Sequence, residues 1–226
     1  MLRVLNDYLK TDLRQLKILD VGSSTGRIAS CLADHFGYVF GVDTDRPAVG
    51  FARQNSPRGN LRFALADGMN LSFRDEVFDV AICAHIYEHV ADAARLLNEI
   101  HRVLKPDGIC YFAADNLLRV REPHYGLPFL AFFPGRLSNL YLRLAGRGDA
   151  YEIKLLTHRS LRRLVERFAV IDYTARIIQN PGLFQAEYML RAGSLKFKFA
   201  NLVVRYAYGL CPSYVWLLQK RSASGS

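Results

Sequence analysis

Cysteine is scarce and dispersed. Cys31, Cys83, Cys110 and Cys211 form no Cys-x-x-Cys pair and no metal-like spacing. That excludes a disulfide framework or a thiolate metal site and reads as a reduced, cytoplasmic protein. No uncharged run approaches the roughly 20 residues a membrane-spanning helix needs. The N-terminal stretch MLRVLNDYLKTDLRQL lacks the apolar run of a signal peptide. There is no P-loop, no Ser-His-Asp order that stands out, no internal repeat and no low-complexity region before the tail. The last residues, 221–226, are expected to be disordered.

Acid is also scarce in one half. Residues 1–113 carry 13 Lys/Arg and 14 Asp/Glu, a balance of −1, whereas residues 114–226 carry 17 and 7, a balance of +10. The overall charge of +9 therefore belongs to the second half. A skew of this kind fits an anionic partner (a membrane surface, nucleic acid or a phosphorylated substrate) or a basic surface that only confers solubility.

Hydrophobic residues make up 50% of the 226 positions, enough to bury the core of one domain spanning residues 1–226. Short apolar runs at 17–21, 38–42, 61–66, 78–83 and 109–113 read as strands. Helical spacing at 26–36, 47–54 and about 90–104 separates them, and a turn is expected at 106–108. Alternation of this kind predicts an α/β domain with a mostly parallel sheet and helices on both faces. Later in the chain, Thr157 is suited to cap a helix reaching Arg167, and strands are expected at 169–174 and 214–219. The stretches 119–148 and 175–211 fall outside the alternation and are read as insertions.

The segment Ile18-Leu19-Asp20-Val21-Gly22-Ser23-Ser24-Thr25-Gly26 ends a strand, turns through small residues and starts a helix, so its backbone can approach a ligand closely. Asp43 lies 17 residues beyond Gly26, at the end of the second strand, where a carboxylate can accept both hydroxyls of a ribose. A nicotinamide-dinucleotide domain would place an acid similarly but usually carries Gly-x-Gly-x-x-Gly, and this turn offers only Gly22 and Gly26.

At these residues the chain resembles the class I S-adenosylmethionine (SAM)-dependent methyltransferases, especially the type 11 group that includes ubiquinone-biosynthesis enzymes. The matches run in order through ILDVGSSTG (18–26), GVDTD (41–45), LADGMNLSF (65–73), FDVAICAHIYEHV (78–90) and VLKPDG (103–108). They cover residues 17–115 well and the rest loosely. The resemblance implies a Rossmann-like, seven-stranded, mostly parallel sheet with a helical cap insertion. It also implies SAM, converted to S-adenosyl-L-homocysteine, lying across the strand ends. Asp20 and Gly22 would face the methionine end, Asp43 the ribose, and Asp67, Gly68 and Met69 the adenine. Ser23, Gly26, Thr44 and Ala84 complete the expected cofactor contacts. Ser24 departs from the family pattern, which usually has Gly there.

Methyl transfer from a sulfonium needs in-line approach and sometimes a base to deprotonate the acceptor. His85, Glu88 and His89 follow the fourth strand and would share one face if helical. In the ubiquinone-biosynthesis O-methyltransferases the corresponding segment resembles Glu-x-x-Glu-His and can hold a divalent metal. A mixed His/Glu set would suit a transition metal better than magnesium. The reading adopted is that Glu88 and His89 are structural and bonded to nearby backbone, with no metal. His85 is the candidate pocket residue or general base. His124 and Tyr125, in the loop after the fifth strand, carry groups able to orient or deprotonate a hydroxyl, or merely sit in a turn fixed by Pro123 and Gly126. His35, His101 and His158 read as structural.

Residues 127–134 are more apolar than a surface loop should be, and 136–148 continue them as a basic helix. Residues 195–210 form a second apolar, basic segment. They either close over the acceptor as a cap or present an apolar, basic-edged surface to anionic lipid at the inner membrane face. The function expected is O-methylation of a lipophilic or glycosylated small molecule. N- or C-methylation, an RNA-binding methyltransferase and a non-catalytic SAM-binding protein stand as alternatives. No recognisable RNA-binding module supports a nucleic-acid partner.

Overall fold

The computed structural model describes residues 1–221, so the tail expected to be disordered lies outside the described residues except for Arg221. Seven strands form one sheet: β1 (Lys17–Val21), β2 (Tyr38–Asp43), β3 (Leu61–Leu65), β4 (Phe78–Ala84), β5 (Leu104–Asp115), β6 (Phe168–Asp172) and β7 (Ser213–Lys220). Their order is β3-β2-β1-β4-β5-β7-β6. Strands β1 to β5 pair in parallel, and β7 runs antiparallel between β5 and β6. The order reverses between β1 and β4, the place where open α/β sheets bind ligands outside the carboxyl ends of their strands.

The apolar runs form strands because the central ones are covered on both faces. Two cores result. On one face Phe78, Leu96, Ile100, Phe112, Leu161 and Trp216 meet around α4 (Ala93–Val103) and α6 (His158–Leu164). On the other, Ile18, Val39, Val80 and Ile82 meet α1 (Leu2–Tyr8), α2 (Arg27–Ala33) and α3 (Arg46–Asn55) through Leu5, Leu32, Val49 and Ala52.

Several elements differ from the sequence expectation. Helix α1 had no motif to announce it; only Val4 and Leu5 are buried. Helix α4 begins at Ala93 rather than near residue 90, because the Asp92 carboxylate accepts from the Arg95 amide at 2.9 Å and fixes the N-terminus. The turn expected at 106–108 is absorbed into an irregular start of β5, where the register with β4 shifts and Asp107 takes φ +61°. Strand β6 stops at Asp172, whose carboxylate accepts from the Thr174 amide and starts α7 (Thr174–Gln179).

The two insertions rest on separate supports. After β5, a 3-10 turn (Leu130–Phe132) carries α5 (Gly135–Leu144), joined through the Ser138 hydroxyl, which donates to the Phe133 carbonyl at 2.8 Å. Between β6 and β7, α8 (Leu195–Tyr206) packs on α7 and on a 3-10 turn (Tyr208–Leu210). Asn116, fully buried just beyond β5, joins this second insertion to the sheet. Its side-chain amide donates to the Gly209 and Cys211 carbonyls at 2.8 Å and to the Tyr214 hydroxyl at 3.0 Å, while its oxygen accepts from the Leu118 amide.

Asn116→Ala removes the side-chain donor to the Cys211 carbonyl and leaves the Gly209 carbonyl to the Tyr214 hydroxyl. It should cost about 1–3 kcal/mol, measured by denaturant unfolding of the full chain. An unchanged midpoint would show that the link carries no stability.

Candidate active site

The turn after β1 bends because three of its residues adopt left-handed backbone: Gly22 (φ +75°), Ser24 (φ +46°) and Gly26 (φ +79°). A serine therefore occupies a conformation that favours glycine, which explains why Gly is usual in the family at this position. The close approach is literal. A Cβ on Gly22 would lie 2.1 Å from Ile86 Cδ1, and one on Gly41 would lie 2.6 Å from the Phe63 ring and 2.8 Å from Ser23 Oγ.

Asp43 closes β2 beneath this turn. One carboxylate oxygen accepts from the Ser24 amide at 2.7 Å and the other from the Asp45 amide at 2.9 Å. Each oxygen keeps a second lone pair for a ligand hydroxyl. Thr44, next in the chain, is exposed. Asp67 accepts from the Met69 amide at 2.8 Å, and Gly68 fits between Leu96 and Val21 with no room for a side chain. Ala84 is half-buried at the end of β4.

Asp20 and Ser23 differ from these in being buried with unsatisfied atoms. Asp20 Oδ2 and Ser23 Oγ have no hydrogen-bond partner. Burial pushes the Asp20 carboxyl up to about 7, against the lowering effect of the Ala29 amide and with a smaller push from Asp43. Buried polar atoms normally find partners, so two orphans lining a glycine turn fit a bound polar ligand. The turn, the orphans and the acid closing β2 suit the methyl donor that the sequence resemblance implies.

The second half of the site stands on the ends of β4 and β5. Residues 85–90 form a turn, not a helix, and His85 takes φ +57°. His85 Nδ1 faces two buried acids, Asp115 Oδ2 at 3.5 Å and Glu88 Oε1 at 3.7 Å. The imidazole pKa is raised above its ordinary value, chiefly by Glu88, then by Asp115, against the opposing pull of burial and of Arg119. Asp115 is held by Arg119 Nη1 at 2.5 Å, and the Tyr87 hydroxyl donates to the Asp115 carbonyl at 2.7 Å.

Glu88 corrects one expectation. Its carboxylate was expected to bond nearby backbone, yet it is fully buried and neither oxygen has a hydrogen-bond partner. Its carbonyl accepts from the Lys154 amide at 3.0 Å. The turn instead aims the carboxylate into a cluster. His85, Glu88 and Asp115 form one grouping whose ligand atoms lie within 4.8 Å of one another, and Glu88, His89 and His124 form another.

His124 and Tyr125 join this cluster through Glu122, a buried acid that accepts from Tyr125 N at 2.7 Å and pairs with His124 Nδ1 at 2.7 Å. The His124 ring lies edge-on to His89, with centroids 4.9 Å apart. The Tyr125 hydroxyl, however, donates to the Ala150 carbonyl at 3.2 Å. Sequence reading missed Asp115, Glu122 and Tyr151. Asp115 could have been found as the acid closing β5. Nothing in the sequence singles out Tyr151, whose buried hydroxyl also lacks a partner. Of the three histidines read as structural, His101 meets Phe168 and His158 meets Tyr208, Tyr214 and Trp216, whereas His35 is exposed just past α2.

Residues 19–112 match the type 11 family model described as "Methyltransferase domain". A demethylmenaquinone methyltransferase of Chlorobaculum tepidum is 29% identical over 178 residues, covering 77% of this chain and 68% of that protein. A ubiquinone biosynthesis O-methyltransferase of Coxiella burnetii is 28% identical over 106 residues, covering 46% of this chain and 45% of the relative. The crystal structure of an S-adenosylmethionine-dependent methyltransferase from Mesorhizobium loti superposes with a TM-score of 0.60 at 19% identity, covering 96% of this chain and 95% of that one, a likeness of fold.

Asp20 yields a pH prediction. Its folded-state pKa, about 7, exceeds its unfolded value, so the native state holds the extra proton and stability falls as pH rises from about 4 to 7. Asp20→Asn removes that titration. Its melting temperature relative to the parent should therefore climb between pH 4.5 and pH 8 in ligand-free protein, and a pH-independent difference would overturn the assignment.

Proposed function

Because the chain is a SAM-dependent methyltransferase of the type 11 group, we propose that it methylates an oxygen of a lipophilic small molecule, with His85 as the base. The observation that carries this reading is the imidazole at the carboxyl end of β4, backed by two buried acids, one residue from Ile86, whose side chain rests on Gly22.

The bound donor supplies a methyl group made electrophilic by its sulfonium. The chain does the rest. Asp43 would hold the ribose hydroxyls, Asp67, Gly68 and Met69 would border the adenine, and Asp20 and Ser23 would meet the methionine end, with Gly22, Gly26, Thr44 and Ala84 lining the space between. His85 Nδ1 would keep its proton toward Glu88 and Asp115, leaving Nε2 to accept the proton of an acceptor hydroxyl when that oxygen takes the methyl group and the donor's carbon–sulfur pair stays with sulfur. The donor's sulfur would become a neutral thioether, and the two acids would favour the imidazolium that holds the proton. His124, oriented by Glu122, and Tyr125 border the acceptor side.

A quinol-like acceptor agrees with the names of the two relatives. The exposed Phe129, Phe132 and Phe133 in the first insertion suit a lipophilic one. In this reading the two insertions cap the acceptor, which reaches the enzyme from a membrane surface on its cytoplasmic side.

Asp43→Ala removes a charge-assisted hydrogen bond to the donor and should weaken SAM binding by about 1.5–3 kcal/mol in calorimetry; unchanged affinity would reject the cofactor assignment.

For the chemistry, labelled SAM and fractionated lipid and metabolite extracts should yield a product methylated on oxygen. A product methylated on carbon or nitrogen would redirect the reading. Activity should rise with pH through the raised His85 pKa, and Glu88→Gln should move that rise to lower pH. The reaction should survive a chelator. Loss of activity restored by one divalent ion would instead assign the Glu88 cluster to a metal.

A further inference from the structure

Helix α8 is unusual among the helices of this chain in being twelve residues long with no fully buried residue. At 100° per residue, Leu195, Phe199, Leu202 and Tyr206 fall within an arc of about 60°. All four are exposed, Leu195 to 84% and Tyr206 to 71%. The half-buried Phe197, Asn201, Val203 and Val204 occupy the inner side, so the most apolar row of the helix points outward. That reverses the usual amphipathic pattern of a helix on a globular surface.

The charges around the row have one sign. Lys196 flanks it on one side and Lys198 and Arg205 on the other. No Asp or Glu occurs anywhere after Glu187. Among the described residues Arg191, Lys196, Lys198 and Arg205 make no ion pair, while other arginines of the chain, such as Arg102, Arg119 and Arg176, do. An apolar row between unpaired cations suits an interface with apolar chains below and anionic headgroups beside them. Long basic side chains reach headgroups while their stems lie on apolar surface. A second copy of this chain fits poorly, because a two-fold contact through α8 would bring its cations against their own symmetry mates.

We propose that the outer face of α8 is the docking surface of this protein for an anionic bilayer. The proposal deepens the lipophilic-acceptor reading and rests on it for its purpose, although the surface itself is independent of the active site. The link between the two is structural. The turn that ends α8 is bonded to Asn116, the residue after Asp115, so the docked helix ends beside the strand edge that carries the chemistry. An open cleft of about 490 Å³, lined by Leu118, His158, Tyr206, Tyr208 and Leu210, lies between them.

The test is co-sedimentation of the full chain with vesicles of phosphatidylcholine alone or mixed with phosphatidylglycerol, at low and high salt, alongside SAM binding in solution. The expected result is binding to the mixed vesicles that weakens in high salt. Phe199→Ala with Leu202→Ala, and separately Lys196→Gln with Lys198→Gln and Arg205→Gln, should each weaken it about tenfold or more while SAM affinity stays at the parent level. Absence of binding to mixed vesicles at low salt overturns the proposal, as does binding that both sets of variants leave intact. A concentration-dependent dimer abolished by Phe199→Ala with Leu202→Ala, without vesicle binding, would assign the face to a second copy instead. Normal SAM binding with failed sedimentation rejects the docking surface alone. Normal sedimentation with no lipophilic product in the labelling assay rejects the acceptor reading alone.

Discussion

The pairing of β1 with β2 on one side and β4 on the other governs where chemistry can occur. These strands are covered on both faces, so their side chains must be apolar, and a polar group in mid-strand would lose its water without gaining a partner. The polar residues collect where the strands run out. Asp20, Asp43, Asp115 and the residues from His85 onward lie at or just past the carboxyl ends of β1, β2, β5 and β4. Parallel pairing brings those ends to one edge, where Asp115 faces His85 and Asp43 holds the Ser24 amide.

Much of the first half was legible because its sequence signals are local. An apolar run, a small-residue turn and a capping acid each act within a few residues, so β1 to β4 and the glycine turn followed directly. What escaped depends on contacts across the chain. The start of β5 was read as a turn from Pro106-Asp107-Gly108, but pairing with β4 outweighs that local preference. Helix α1 is short and weakly patterned, and exists because Val4 and Leu5 reach the core beside α2. In the site, Glu88 departs from the expected backbone bonding because its segment is a turn. As a turn, it rotates the carboxylate away from backbone donors and toward His85, His89 and His124. Tyr151 lies in an irregular stretch and joins the site only through the folding back of the first insertion.

The buried acids tie stability to ligand binding. Asp20 and Glu88 are desolvated carboxyls whose side chains carry unpartnered oxygens, and such groups weaken a fold when left alone. Asp20 responds by holding its proton to about pH 7. A methyl donor bound as proposed would bring an ammonium and a sulfonium, both cationic, to the edge where these acids sit. Binding a cation would favour the charged form of Asp20 and offset its desolvation, so ligand affinity should grow as the carboxyl loses its proton. The same electrostatics distinguish substrate from product. In the proposed reaction, transfer would neutralise the sulfonium and leave the proton on His85, between Asp115 and Glu88. The positive charge would then move from the ligand to a side chain already flanked by two acids, leaving the product with one fewer attraction to the site proposed for its precursor.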